Sequence, residues 1–203
     1  MADKTKIMLS EQEQQVVNDS SWILTKQAVI QKVYYLFNEQ VNIIGNIFSG
    51  IQLNYPGKTV SVIPKISKGE NYQGLPYVML DYPSVFDKEN IFALRTMFWW
   101  GNYFSITLQL SGHYKQIFAS DSFIDSLQSM EGLYVCIHSD PWQHHFESSN
   151  YISCSQLNKQ AIEDLFNQKK FVKIALKYDL KQWNNIDNLL EAAYKKIIFL
   201  LRD

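Results

Sequence analysis

A chain of 203 residues, 46% of them hydrophobic, is long enough to bury a full core, which argues against extensive disorder. The net charge of −1 and the scattered lysines argue against a nucleic-acid-binding surface. No apolar run approaches the roughly 18 residues that span a bilayer, and the N-terminus lacks a signal-peptide core, so we predict one cytoplasmic domain over 1–203 with free thiols.

The N-terminal third is predicted to be helical. Ser10 and Glu13 form a capping-box pattern, so the first helix is expected to begin at Glu11. Residues 18–21 resemble a break followed by a new cap, and apolar residues at helical spacing then run from Trp22 to Phe48. The apolar stripe is wide, which predicts that this long helix is covered on more than one side.

The central part is predicted to form consecutive strands joined by short turns. Pro64 indicates an edge strand or a strand end, and Pro83 is expected to close the second strand. The predicted strands are 59–66, 75–82, 91–99 and 103–110, with turn signals at 55–57 and 68–71.

The C-terminal half mixes helices and strands. The predicted elements are a short strand and then a helix within 113–130, a strand at 133–138, a loop at 139–149, a helix at 158–168, a strand at 171–178 and a helix from 186. Lysines between Lys169 and Lys181 are interpreted as a solvated edge. Helix, then strands with short turns, then helix predicts an α+β fold, with a mainly antiparallel sheet packed against a long N-terminal helix and a C-terminal helix.

The central hairpin permits two registers. A two-residue turn at Gly101–Asn102 would pair Arg95 with Leu108 and bury an arginine among aliphatic side chains. A three-residue loop pairs Arg95 with Thr107 instead and places the apolar side chains of both arms on one face. We favour the second register, with Asn102 as the residue that tolerates a left-handed conformation.

In the favoured register, the other face of the hairpin carries a guanidinium among aromatic and hydroxyl side chains. Such a face is suited to a carboxylate or phosphate ligand. The favoured alternative is that the guanidinium pairs with an internal acid such as Asp81 or is solvated. The predicted ligand-binding residues are Arg95, Asp81, Tyr77, Trp99, Tyr103, Ser105 and Thr107.

The run Lys68-Gly69-Glu70-Asn71-Tyr72-Gln73-Gly74-Leu75-Pro76-Tyr77-Val78-Met79-Leu80-Asp81-Tyr82-Pro83, followed by Trp99-Trp100-Gly101-Asn102-Tyr103-Phe104, covers roughly the middle third of the chain. These residues resemble uncharacterised bacterial proteins of unknown function. The resemblance implies no activity, cofactor or catalytic residue.

A histidine-rich loop is the second candidate site. Its predicted metal ligands are His138, Asp140, His144 and His145, although adjacent histidines fit neither a helical HExxH pair nor a zinc finger. The chain contains no P-loop, dinucleotide-binding fingerprint or nucleophile elbow, so we predict no cofactor and favour a protein that is not an enzyme.

Tryptophans in turns and loops form the third candidate site. Trp99 and Trp100 lie near the hairpin tip and Trp142 in a polar loop, where large rings often anchor a protein partner. Three functions follow from these candidates. The favoured one is a non-catalytic domain that binds a partner or a second copy through the hairpin; the alternatives are binding or turnover of an anionic small molecule near Arg95, and metal-dependent hydrolysis in the loop.

Overall fold

Six α-helices and seven strands make up the computed structural model, which describes residues 7–54 and 62–202. The helices are α1 (Glu11–Asn18), α2 (Ser20–Phe48), α3 (Gly112–Phe118), α4 (Asp121–Ser129), α5 (Lys159–Gln168) and α6 (Ile186–Leu200). The strands are β1 (Lys65–Tyr72), β2 (Leu75–Phe86), β3 (Ile91–Trp99), β4 (Tyr103–Ser111), β5 (Tyr134–Cys136), β6 (Tyr151–Ser153) and β7 (Phe171–Asp179). The α+β class predicted from the sequence is confirmed.

The N-terminal helices begin where their capping residues predict. The Ser10 side chain accepts a hydrogen bond from the backbone N–H of Glu13, and the Glu13 carboxylate accepts one from the Ser10 backbone N–H. Asp19 ends α1 and caps α2, because its carboxylate accepts a hydrogen bond from the Ser21 backbone N–H at 2.9 Å. The predicted break between the two helices is therefore confirmed.

All seven strands form one sheet in the order β1-β2-β3-β4-β7-β5-β6, and each neighbouring pair is antiparallel. After β4 the chain forms α3 and α4, then the short strands β5 and β6 at the far edge of the sheet, and then α5. It returns to the middle of the sheet as β7, beside β4. The C-terminal strand therefore lies inside the sheet, and β1 and β6 form its edges.

The central hairpin has the three-residue loop that its alternating pattern favoured. Arg95 pairs with Thr107, and Trp99 with Tyr103 at the end of the ladder. The left-handed residue of the loop is Gly101, with φ of 71°, so the expectation for Asn102 was wrong. Glycine takes this conformation without the steric cost that a Cβ brings.

The first hairpin differs from the prediction. The expected turn at 68–71 lies inside β1, and the chain turns at Gln73 and Gly74, which both have positive φ. β2 continues through Pro83 to Phe86, with a register shift between Asp81 and Ser84 that accommodates the missing N–H. The turn predicted at 55–57 and the start of the strand predicted from 59 lie outside the described residues, and no strand precedes Lys65 in 62–64.

The segment after β4 also differs from the prediction. A helix, α3, takes the place of the expected short strand, and α4 follows at Asp121–Ser129. Gly112 has φ of 54°, and this positive value turns the chain out of the sheet directly into α3. The predicted loop at 139–149 and the helix at 158–168 are confirmed.

One face of the sheet packs against α2 and α6, and the apolar side of the central hairpin faces these helices as predicted. Tyr194 of α6 is fully buried, and its hydroxyl lies 2.8 Å from the hydroxyl of Thr96 on β3. The α2 residues buried in this layer are Ile30, Val33, Phe37, Gln40, Ile44 and Phe48. α2 is thus covered along one stripe, and its first turn, Ser20–Leu24, is exposed on all sides.

Candidate functional site

Arg95 lies on the face of the sheet that points away from the helices, opposite Asp81 on β2. Its Nε donates to Oδ1 of Asp81 at 2.7 Å, and its Nη2 donates to Oδ2 at 3.0 Å. The two side chains are 13% and 7% exposed, so this bidentate pair is shielded from water. Arg95 therefore pairs with an internal acid, which is the alternative to a ligand site that the sequence allowed.

The loop between β5 and β6 covers this pair. Nη1 of Arg95 lies 3.2 Å from Nε2 of His144, and the Trp142 ring lies over the guanidinium at 5.7 Å. The Tyr72 hydroxyl accepts hydrogen bonds from the backbone N–H groups of His144 and His145, at 2.7 and 3.1 Å. Burial, reinforced by the neighbouring Lys173 and Arg95, lowers the pKa of His144 to about 2, so this imidazole is neutral.

Lys173 attaches the same loop to the centre of the sheet. Its Nζ donates to the carbonyl oxygen of Pro141 at 2.8 Å and to that of Gln143, and the residue is only 1% exposed. Burial lowers its pKa to about 8. The prediction of a solvated lysine edge was wrong here, because β7 lies between β4 and β5 and its side chains on this face meet the loop.

Little space remains between the sheet and the loop. A cavity of about 10 Å³ borders Arg95, Thr107, Gln109 and Lys173, which is room for about one water molecule. The predicted residues around Arg95 therefore converge, but the loop occupies the volume that an anionic ligand would need. The pocket predicted beside Arg95 is not open, because the side chains of Trp142 and His144 occupy the space next to the guanidinium.

The other predicted ligand residues lie along the same face of the sheet. The Tyr103 hydroxyl donates to the His144 carbonyl oxygen at 3.3 Å. Tyr77 packs edge-on against the ring of Tyr72. Trp99, Ser105 and Thr107 are buried.

The histidines of the loop do not converge. His138 accepts a hydrogen bond at Nδ1 from the backbone N–H of Asp140, whereas His144 points to Arg95. His145 approaches Glu147, with 3.6 Å between Nδ1 and the carboxylate. Within residues 7–54 and 62–202, no group of three or more His, Cys, Asp or Glu side chains is arranged to hold a metal ion. The predicted metal site is therefore not formed. These side chains instead make contacts within the loop and between the loop and the sheet.

The thiol beside this loop is also part of the packing. The Cys136 Sγ lies 3.3 Å from Oδ1 of Asn150, and burial raises the pKa of the thiol. A thiol kept protonated in this way is a poor nucleophile. Cys136 and Cys154 are both buried and unbridged.

The predicted interface tryptophans have different environments. Trp99 is 4% exposed and packs against Tyr72 and Tyr103, so it is a core residue and the interface prediction for it was wrong. Trp100 is half-buried and meets the ring of Trp22 at 6.2 Å. Trp142 is 46% exposed although its ring covers Arg95.

Sequence reasoning missed an exposed apolar surface at the N-terminus. Every residue from 7 to 25, which we call the arm, is exposed. The large apolar side chains of the arm are Ile7, Met8, Leu9, Val16, Val17, Trp22, Ile23 and Leu24, with exposures between 41% and 83%. They are half of the 16 exposed large apolar residues within the described chain. Consecutive apolar residues at 22–24 were a usable signal, because neighbours on a helix cannot all face one core.

Sequence reasoning also missed a groove at one end of the sheet. Its volume is about 1000 Å³, and it lies between the β2–β3 turn, α3 and α5. The groove is built from residues distant in sequence, including Gln109 on β4, Lys115 on α3 and Phe166 on α5. No local pattern predicts such a surface.

No helix in the described part of the chain is long and apolar enough to cross a membrane. The resemblance of the central segment to uncharacterised bacterial proteins stays a prediction. No protein-family model, no curated protein and no solved structure matches this chain, so its function has to be inferred from its own geometry.

Proposed function

We propose that this protein is a non-catalytic domain that binds a protein partner through the arm, residues 7–25, and the adjoining tip of the central hairpin. The observation that carries the proposal is the concentration of exposed apolar side chains in the arm. Contiguous exposed apolar surface is typical of protein-interaction sites, because leaving it in water is unfavourable.

The hairpin tip adjoins this surface. Trp100 contacts Trp22 edge-to-face, so an aromatic ring of the tip lies next to the arm. Tryptophan is enriched among the residues that contribute most to binding energy. We therefore keep Trp100 as a predicted partner-binding residue of the hairpin. The arm takes the place of Trp99, which is buried.

The helix α1 within the arm is a second argument for the binding of a partner. α1 has eight residues and buries none of them, and a helix of this length is marginal in water without tertiary packing. The capping box of Ser10 and Glu13 contributes about 1 kcal/mol to its formation. A partner that covers the apolar side chains would supply the missing packing.

Charge favours one kind of partner. Residues 7–25 contain Glu11, Glu13 and Asp19 and no lysine or arginine, which gives this segment a charge of −3. A second copy would bring the same negative charge to the interface, and like charges oppose association. We therefore infer a partner segment that is apolar on one side and basic at its margins, on a different protein.

The test is binding of a 15-residue amphipathic peptide of leucine and lysine, measured by calorimetry and by amide hydrogen exchange. We expect binding that protects amides within 11–25 and weakens at least tenfold in a Val17→Ser/Leu24→Ser variant. Ile117→Ser, which removes an exposed apolar side chain outside the arm, is the matched control and is expected to bind normally. Equal binding by the double variant, or equal binding of a leucine–glutamate peptide, would contradict the proposal.

A further inference from the structure

We propose that the small cavity beneath the loop at 139–149 binds one monatomic anion, such as chloride, which attaches the loop to the sheet. The cavity has a volume of about 10 Å³, which leaves room for one water-sized particle and excludes the carboxylate or phosphate group that the sequence suggested. None of its described lining residues belongs to the arm or to the hairpin tip, so the inference does not depend on the proposed partner surface.

The first observation is a buried amide donor without an acceptor. Gln109 is 4% exposed and lines the cavity, and its Nε2 makes no hydrogen bond to any described residue. Its neighbours across the sheet are Ala93 on β3, which has no polar side-chain atom, and Lys173 on β7, whose ammonium is itself a donor. A buried N–H group without an acceptor is uncommon in proteins and indicates that an acceptor binds there.

The second observation is a buried ammonium group without a counter-charge at the same cavity. Lys173 is 1% exposed, and within residues 7–54 and 62–202 it forms no ion pair with a carboxylate. Its Nζ donates to two carbonyl oxygens of the loop and lies 5.4 Å from the centre of the Tyr151 ring, and none of these partners is charged. An unpaired buried cation is unfavourable, and an anion beside it offsets that cost.

The other charges of the described cavity lining cancel. Arg95 borders the cavity, but its charge is balanced by the carboxylate of Asp81, and the imidazole of His144 is neutral. The pKa of Lys173 is about 8, so this side chain is protonated at pH 7 and leaves a formal charge of +1, which one halide ion neutralises. A water molecule would accept a hydrogen bond from the Gln109 amide but would leave that charge uncompensated.

The position of the cavity connects the ion to the closing of the loop. Gln109 and Lys173 belong to the sheet, whereas Trp142 and His144 belong to the loop, and all four line the cavity. The complete set of contacts exists only while the loop lies on the sheet. The ion therefore binds the folded state in preference to the unfolded state and stabilises it.

The test is thermal unfolding of the full chain at pH 7 in sodium chloride, sodium bromide and sodium gluconate at one ionic strength. Gluconate is too large for the cavity, and a constant ionic strength keeps the general screening of charges equal. We expect Tm to be about 4 °C higher in about 0.3 M chloride or bromide than in gluconate. In crystals grown with bromide, we expect an anomalous-scattering peak between Gln109 and Lys173.

Two variants separate ion binding from folding. Lys173→Met removes the cation, and Gln109→Glu brings a carboxylate to the cavity in a side chain of nearly the same size, so both are expected to abolish the Tm difference between chloride and gluconate. Lys177→Met removes an exposed lysine from the same strand and is expected to retain the difference. Equal Tm in the three salts, an undiminished chloride effect in Lys173→Met or Gln109→Glu, or a cavity without bromide in those crystals would overturn the proposal.

Discussion

Arg95 and Asp81 lie opposite each other on neighbouring strands and form a two-pronged ion pair beneath the loop that joins β5 and β6. The Asp81 carboxylate balances the charge of Arg95, the only arginine among the described strands. The guanidinium also contacts the imidazole of His144. A guanidinium that sequence analysis proposed as a ligand site thus fastens the loop to the sheet.

Removal of one member of this pair is expected to destabilise the fold. Asp81→Asn leaves the guanidinium buried without its counter-charge, and we expect a loss of about 3–5 kcal/mol in the free energy of unfolding. Urea unfolding followed by circular dichroism measures this loss. The double variant Asp81→Leu/Arg95→Met is expected to lose less than the sum of the single changes, because no charge stays buried. Strict additivity would show that the two side chains do not interact.

Acid is expected to destabilise the protein through His144. The pKa of its imidazole is about 2 in the fold against 6.5 in an exposed chain, so below pH 6.5 the unfolded state binds a proton that the folded state does not. Stability is therefore lost as pH falls through 6.5, by about 2–3 kcal/mol between pH 7.5 and 4.5. Urea unfolding across this range is the measurement. His144→Asn should remove this part of the pH dependence and His138→Asn should retain it; identical slopes for the two variants would refute the assignment.

A side chain at Gly112 is expected to disrupt the exit from β4. The residue has φ of 54°, and a Cβ there would lie 2.3 Å from Oδ1 of Asn90 and 2.6 Å from the backbone oxygen of Glu89. Gly112→Ala should cost about 1–3 kcal/mol, measured as the shift in the urea midpoint. Gly50→Ala is the matched control, because a Cβ at Gly50 meets no atom of the described residues within 4 Å and the expected change is within about 0.5 kcal/mol. Equal stability of the two variants would contradict the strain argument.

The two adjacent tryptophans of the hairpin are expected to have separate roles. Trp99 is buried between Tyr72 and Tyr103, so Trp99→Ala should cost about 3–5 kcal/mol of stability. Trp100 is half-buried, so Trp100→Ala should cost less and should weaken binding of the leucine–lysine peptide at the arm. Thermal unfolding and calorimetry on the same samples separate the two effects. A larger stability loss for Trp100 than for Trp99 would reverse the assignment.

Local chemistry predicted the elements well where a cap or a period was strong. The start of α1, the break at Asp19 and the strands around the central hairpin depend on neighbouring residues, and each was located from them. Prediction was wrong where two local signals competed. Gly69 and Asn71 indicated a turn, but pairing with β2 keeps them within β1, and Gln73–Gly74 makes the turn instead.

The candidate sites were less predictable than the elements. The alternation of β3 and β4 placed Arg95, Tyr103 and Thr107 on one face, because side chains in a strand alternate regardless of what covers them. What covers that face is a loop some 40 residues further along the chain, and the pattern of β3 and β4 contains no information about it. The same limit explains why His144 was assigned to metal binding and Lys173 to solvent.

By itself, the amino-acid sequence determined the capped N-terminal helices, the strands of the central hairpin and which side of that hairpin is apolar, since these follow from interactions between residues close in the chain. Tertiary structure alone decided that β7 inserts beside β4, that the loop at 139–149 covers Arg95, and that the arm stays exposed. The physical reason is that burial is a property of the whole packed chain: a charge or an apolar stripe has the same local sequence whether another segment covers it or leaves it in water.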